Sequence, residues 1–209
     1  TNAPCAASTD NVDITFTSAP TPADAGNDQT ICASSGTATM ASNTPTVGIG
    51  TWTKVSGPAG GTITAPGSPT TSITGMTTPG TYVFKWTIAN APCAASEDQM
   101  NVTVNAPPTT AAAGNDASVC RLTTNLAGNA PTVGSGTWTQ VSGPGTSNFV
   151  NANSATTSVT VSATGAYTFR WTIANAPCAA SVDNVDITFT PGPTPADAGN
   201  DQTICASSG

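Results

Sequence analysis

Apolar and polar residues alternate in four stretches of this chain, with the two-residue period of a β-strand that buries one face. Tyr82, Phe84, Trp86 and Ile88 stand against Val83, Lys85 and Thr87, and Tyr167, Phe169, Trp171 and Ile173 repeat the pattern. A second alternation follows each of these: Met100, Val102 and Val104, then Val185, Ile187 and Phe189 against Asp186 and Thr188. No segment carries a helical stripe of useful length. Short strands separated by Gly and Pro turns predict an all-β fold of sandwich modules. One stretch resists the pattern. Around Trp52, strict alternation puts Lys54 on the tryptophan's face and Val55 opposite, which a bulge near Thr53 would resolve.

The strands recur because the sequence does. GTWTKVSGP at 50–58 returns as GTWTQVSGP at 136–144, and FKWTIANAPCAAS at 84–96 returns as FRWTIANAPCAAS at 169–181. Trp52 to Trp138 is 86 residues, Trp86 to Trp171 is 85 and Cys32 to Cys120 is 88, so insertions fall in loops while the anchors hold. Residues 1–36 return at 174–209 with four substitutions, so the chain reads as a window on a longer periodic polymer. Proline-rich stretches at 18–26, 105–114 and 191–199 mark the boundaries and hold the connections extended. This reading gives the last strand of a preceding repeat at 1–20, complete modules at 21–106 and 107–190, and the first strand of a following repeat at 191–209.

Composition removes several functions. Four basic against eleven acidic residues give a net charge of −7, the wrong sign for a phosphate backbone, so no nucleic-acid partner is expected. No stretch approaches the roughly 18 apolar residues that cross a bilayer, so no membrane insertion is expected here. With only Lys54, Lys85, Arg121 and Arg170 to cut at, trypsin-like proteases find few sites, which suits a protein outside the cell. Histidine is absent, which excludes Ser-His-Asp and Cys-His arrangements within this sequence. The aspartates stand at turns or on outward strand positions such as Asp13 and Asp186, and the chain is read as not an enzyme.

The candidate sites are few. Trp52, Tyr82, Phe84, Trp86, Trp138, Tyr167, Phe169 and Trp171 lie in the alternating runs and read as core rather than as platforms for sugar rings. Asp24, Asn27 and Asp28, with Asp197, Asn200 and Asp201 as their equivalents, offer oxygen ligands to calcium, the one cofactor worth considering. The second repeat has Ala112 in the place of the first carboxylate, and Gly-Asn-Asp is itself a turn former. No cofactor is therefore expected. Asn101-Val102-Thr103 is the only N-x-S/T glycosylation site.

The succession AGNDQTIC, GTWTxVSGP and GTYxFxWTIxNAPCxxSxDxVxI resembles the PKD-like and immunoglobulin-like tandem repeats of giant secreted surface adhesins, particularly those of gliding bacteria. The resemblance covers both modules. It implies seven-stranded immunoglobulin-like sandwiches arranged head to tail, export to the bacterial cell surface or beyond, and a role as a stalk or fibre segment. The implied partners are neighbouring repeats of the same chain, with identical chains in a filament or surface glycans as the adhesive alternative.

Each complete module has two cysteines, Cys32 and Cys93, then Cys120 and Cys178, while Cys5 and Cys205 belong to its neighbours. Their spacing is far from that of zinc sites, and disulfides are the natural reading in an exported protein. Two pairings stand open. One joins Cys32 to Cys93 and Cys120 to Cys178 within modules. In the implied strand order those partners sit at opposite poles, on the order of 30 Å apart for nine strand residues, against a Cα limit near 7 Å. The other pairing is a staple between modules, Cys32 with Cys178.

Overall fold

The computed structural model describes residues 5, 8–203 and 205. It divides the chain into two compact units, one of residues 1–107 with 176–178, the other of 108–175 with 179–209. The first holds β1 (Gln29–Cys32), β2 (Ala38–Thr39), β3 (Ile49–Ser56), β4 (Thr62–Ile63), β5 (Ser72–Thr74), β6 (Gly80–Ala89) and β7 (Ser96–Asn105). These form one sheet in the order β1-β7-β6-β3 and another in the order β2-β5-β4. β1 runs parallel to β7, and every other pairing is antiparallel. The second unit repeats the plan with β8 (Ala117–Val119), β9 (Thr123–Ala127), β10 (Ser135–Ser142), β11 (Ser147–Phe149), β12 (Thr156–Val161), β13 (Gly165–Ala174) and β14 (Ser181–Phe189). Its sheets are ordered β10-β13-β14-β8 and β11-β12-β9. Each unit is an immunoglobulin-like β-sandwich.

Each core is built from the alternation read in the sequence. Tyr82, Phe84, Trp86 and Ile88 of β6 are buried with Trp52 of β3, and Tyr167, Phe169, Trp171 and Ile173 of β13 with Trp138 of β10. The paired tryptophans face one another in register, with ring centroids 5.2 Å apart in the first core and 5.0 Å in the second. Such contact needs a gap in the neighbouring strand. A Cβ on Gly50 would enter the indole of Trp86, and one on Gly136 the indole of Trp171, so the glycine before each Trp-bearing segment of β3 and β10 admits the ring. The Tyr82 hydroxyl donates to Thr78 O at 3.0 Å and the Tyr167 hydroxyl to Ala163 O at 2.9 Å. Both bonds reach four residues upstream, the geometry of a tyrosine corner.

The two cores differ in one respect. Trp138 Nε1 donates to Ala155 O and Trp171 Nε1 to Asn129 O, each at 3.2 Å. Trp52 Nε1 and Trp86 Nε1 are buried without an acceptor among the described residues. An unpaired buried donor costs about 1–3 kcal/mol, so the first core carries a penalty that the second avoids.

The bulge expected near Thr53 lies two residues further on. Lys54 pairs with Phe84 and Ser56 with Val83, which leaves Val55 as the extra residue. Lys54 does share the face of Trp52. Its ammonium donates to Pro58 O and, at 2.8 Å, to Gly60 O, and it stands 4.9 Å from the centroid of the Tyr82 ring. The long side chain thus covers the rim of the core while its charge is satisfied by carbonyls and the ring face. In the second unit Gln140 takes this position, its Nε2 donating to Gly145 O at 2.7 Å.

Candidate functional site

The proline-rich segments that open each repeat are held against the sheet rather than left as free connections. In the first unit Thr21 Oγ1 accepts from the amides of Thr46 and Val47, each at 2.9 Å. Asn43 grips the same segment twice, its Oδ1 accepting from Asp24 N at 3.0 Å and its Nδ2 donating to Pro22 O at 2.8 Å. Along β7, Ser96 Oγ accepts from Ala23 N at 2.8 Å, Asp98 Oδ2 from Ala25 N at 2.7 Å, and Asp28 Oδ1 reaches across to Asn101 N at 2.8 Å. The second unit repeats the set on Thr109, Asn129, Ser181, Asp183 and Asp116. The physical reason is that this stretch joins no ladder of its own until β1 or β8 begins, so its amides need side-chain acceptors.

Sequence reasoning passed over Asn43, Ser96 and Asp98 with their counterparts Asn129, Ser181 and Asp183. For the serines and aspartates the signal was present in the S-x-D that follows each cysteine turn, at Ser96–Asp98 and Ser181–Asp183. Asp183→Ala strands the buried amide of Ala113. It is expected to lower the stability of the second unit by about 1–3 kcal/mol in denaturant titration. A change of only a few tenths would mean that the clamp does not hold the segment.

The residues considered for calcium are engaged otherwise. Asp24 Oδ1 accepts from Gly26 N at 2.9 Å and Asp197 Oδ1 from Gly199 N at 2.8 Å, closing the same short turn twice. Asp28 bonds Asn101 through both oxygens, while Asn27, Asn200 and Asp201 are exposed. Among the described residues no three His, Cys, Asp or Glu side chains converge as a metal site. The backbone amide of Asn101, and then its side chain, hold the Asp28 carboxyl below the usual carboxylate range. Because the folded value is the lower one, this contribution to stability is present above the unfolded value and is lost as pH falls through the folded one. Lys85, 2.8 Å from Glu97, lowers that carboxyl in the same sense.

Cys32 is bonded to Cys178, 146 residues away in sequence, with their Cα atoms 4.9 Å apart. The turn 176–178 that carries Cys178 falls within the first compact unit. There the Cys178 sulfur lies 3.5 Å from Asn105 O and 3.4 Å from Ala106 O, and Asn105 Nδ2 donates to Ala176 O at 2.6 Å. Cys32 is the register partner of Asn105. The pairing within modules is not formed, neither Cys32 with Cys93 nor Cys120 with Cys178. Register explains it: Cys32 stands beside Asn105 at the end of β7, whereas Cys93 lies in the turn that precedes Ser96 at its start. A strand of that length holds the two on the order of 30 Å apart, beyond the reach of a disulfide. Cys93 is half-buried, and Cys5 and Cys120 are exposed.

Two immunoglobulin-like sandwiches in tandem define a class of modular all-β proteins, and a disulfide such as that of Cys32 with Cys178 belongs to an oxidising, extracellular medium. Residues 25–104 and 113–189 each match the K319L-like PKD domain, and the chain belongs to that family. The PKD domain of KIAA 1837 protein, solved in solution, is 25% identical, covering 43% of this chain and 93% of its own length at a TM-score of 0.36. Sidekick-1 immunoglobulin domains 1–4 are 13% identical over 81% of this chain, which spans 49% of theirs, at a TM-score of 0.48. Murine CEACAM1b is 16% identical, with 78% of this chain and 95% of its own covered at 0.47. No curated protein matches the chain in sequence. Among the described residues no helix is long and apolar enough to cross a membrane.

Proposed function

We propose that this chain is a structural segment of a long repetitive bacterial surface adhesin or extracellular filament, one that supplies reach and stiffness while recognition lies in other modules. The observation that carries this reading is the bond between Cys32 and Cys178, which ties two points 146 residues apart in a periodic sequence. A covalent tie over that span limits how far the chain lengthens under load. The tryptophan and tyrosine rings on which a sugar would stack are spent in the cores, since none is more than 1% exposed. The reading assigns the chain no catalytic role.

Small-angle scattering and a glycan array on the oxidised chain test it together. A rod-like profile with no glycan bound above background is the expected result. Saturable binding to a defined glycan would instead make each repeat a recognition module.

A further inference from the structure

Cys93 and Cys178 occupy the same sequence, WTIANAPCAAS, at 86–96 and 171–181. They also occupy the same surroundings. The Cys178 sulfur lies 3.5 and 3.4 Å from the carbonyls of Asn105 and Ala106, the two residues that close and follow β7. The Cys93 thiol lies 3.4 and 3.5 Å from the carbonyls of Thr17 and Ser18, which close and follow NVDITFT. That motif is the last-strand sequence of a repeat, since the same letters at 184–190 form most of β14 and end one residue past it. Cys93 therefore rests on the end of a last-strand segment as Cys178 does. Cys178 has in addition a bonded partner on the neighbouring first strand.

Cys120 holds the complementary position. On β14, Ala117 pairs with Ile187 and Val119 with Phe189. On β7, Gln29 pairs with Val102 and Ile31 with Val104. The two registers superpose Cys120 on Cys32, with Thr190 in the place of Asn105. Cys32 is buried in its bond, whereas Cys120 is exposed. The independent observation that these are bonding positions is that their equivalents in this same molecule are joined to each other.

We infer that Cys93 and Cys120 are each one half of a further disulfide equivalent to that of Cys32 with Cys178. Cys93 takes the first-strand cysteine of the repeat that owns NVDITFT, and Cys120 takes the turn cysteine of a further repeat, so that the polymer carries a ladder of these bonds. Because Cys93 and Cys120 both lie between Cys32 and Cys178 in sequence, successive covalent loops overlap and no repeat stands outside one. Each bond forms by two exchange steps with a small-molecule disulfide. The first thiolate displaces one thiol and becomes a mixed disulfide; the second thiolate attacks it, releasing the other thiol. The two protein thiols lose two protons and two electrons, and the reagent disulfide leaves as two thiols.

The inference rests on the polymer reading above, and peptide mapping separates its failure from that of the reading. The full-length protein is taken from outside its cell, alkylated without reduction, and cut with trypsin and a glutamate-specific protease. Glu97 is the only glutamate in this sequence, so Cys93 leaves on Trp86–Glu97 and Cys120 on Asp98–Arg121. Trp86–Glu97 is expected to be linked to a peptide ending its first strand in TIC or SVC, and Asp98–Arg121 to one containing NAPC. Alkylated Cys93 beside an intact bond from Cys32 to Cys178 would overturn the ladder alone, as would a bond from Cys93 to Cys120. Loss of both bonds would overturn it together with the oxidising setting.

Discussion

Pulled from its two ends, the oxidised chain is expected to release only the residues outside the loop closed by Cys32 and Cys178, and the reduced chain roughly 500 Å more. The figure follows from the 146-residue separation and the reach of an extended backbone, about 3.3–3.6 Å per residue. Strands β2 to β13 lie wholly inside the loop, whereas β14 lies outside it. Load can therefore peel β14 and unfold the second sandwich without lengthening the chain through it. Hydrogen bonds and apolar packing yield to force; the covalent bond does not. Single-molecule stretching with and without reductant measures the difference, and Cys32→Ser should give the long trace under both conditions. Equal contour lengths with and without reductant would remove the mechanical basis of the proposed function.

Trp171→Ala is expected to lower the melting transition of the second unit by at least about 12 °C, or to abolish it, while the first unit's transition stays in place. Trp171 is fully buried, packs against Trp138 and bonds Asn129 O. Truncating such a residue costs about 3–5 kcal/mol, a large share of the roughly 5–15 kcal/mol that holds a domain together, and each kcal/mol moves the melting point of a domain this size by about 4–8 °C. The two cores share no residue, which is why the effect should stay local. Trp86→Ala should act on the first unit in the same way but more gently. It removes an indole N–H that has no acceptor there, an offset of about 1–3 kcal/mol. Scanning calorimetry distinguishes these outcomes, and a single transition that shifts as a whole would mean one shared core.

The sandwich was readable because a buried β-face repeats every second residue, and both Tyr-Phe-Trp-Ile runs keep that period without interruption. Trp52 and Lys54 were harder. Alternation put them on one face, and the register places the extra residue at Val55, where the rim carbonyls of Pro58 and Gly60 give the ammonium partners. Neither carbonyl has any mark in the sequence. The clamp does leave a mark, the repeated S-x-D, but its partners are backbone amides that the letters do not name. Ser96 and Asp98 are polar residues on the face that further along β7 buries Met100, Val102 and Val104, and what they hold is decided by the backbone of Ala23 and Ala25, 73 residues away in sequence.

Two repeated segments separate local from distant causes. Asp-Ala-Gly closes the same side-chain turn at Asp24–Gly26, clamped to the sheet, and at Asp197–Gly199, where the surrounding residues are exposed. A hydrogen bond spanning two residues costs so little chain entropy that the letters suffice. NVDITFT behaves otherwise: at 184–190 it forms most of β14, with Phe189 1% exposed, and at 11–17 the same letters form no strand and leave Phe16 93% exposed. A strand's backbone and apolar face are satisfied only by neighbours, here β13 and β8. The same dependence governs the cysteines, because which sulfur meets which follows from the register of β1 on β7 and not from any spacing along the chain.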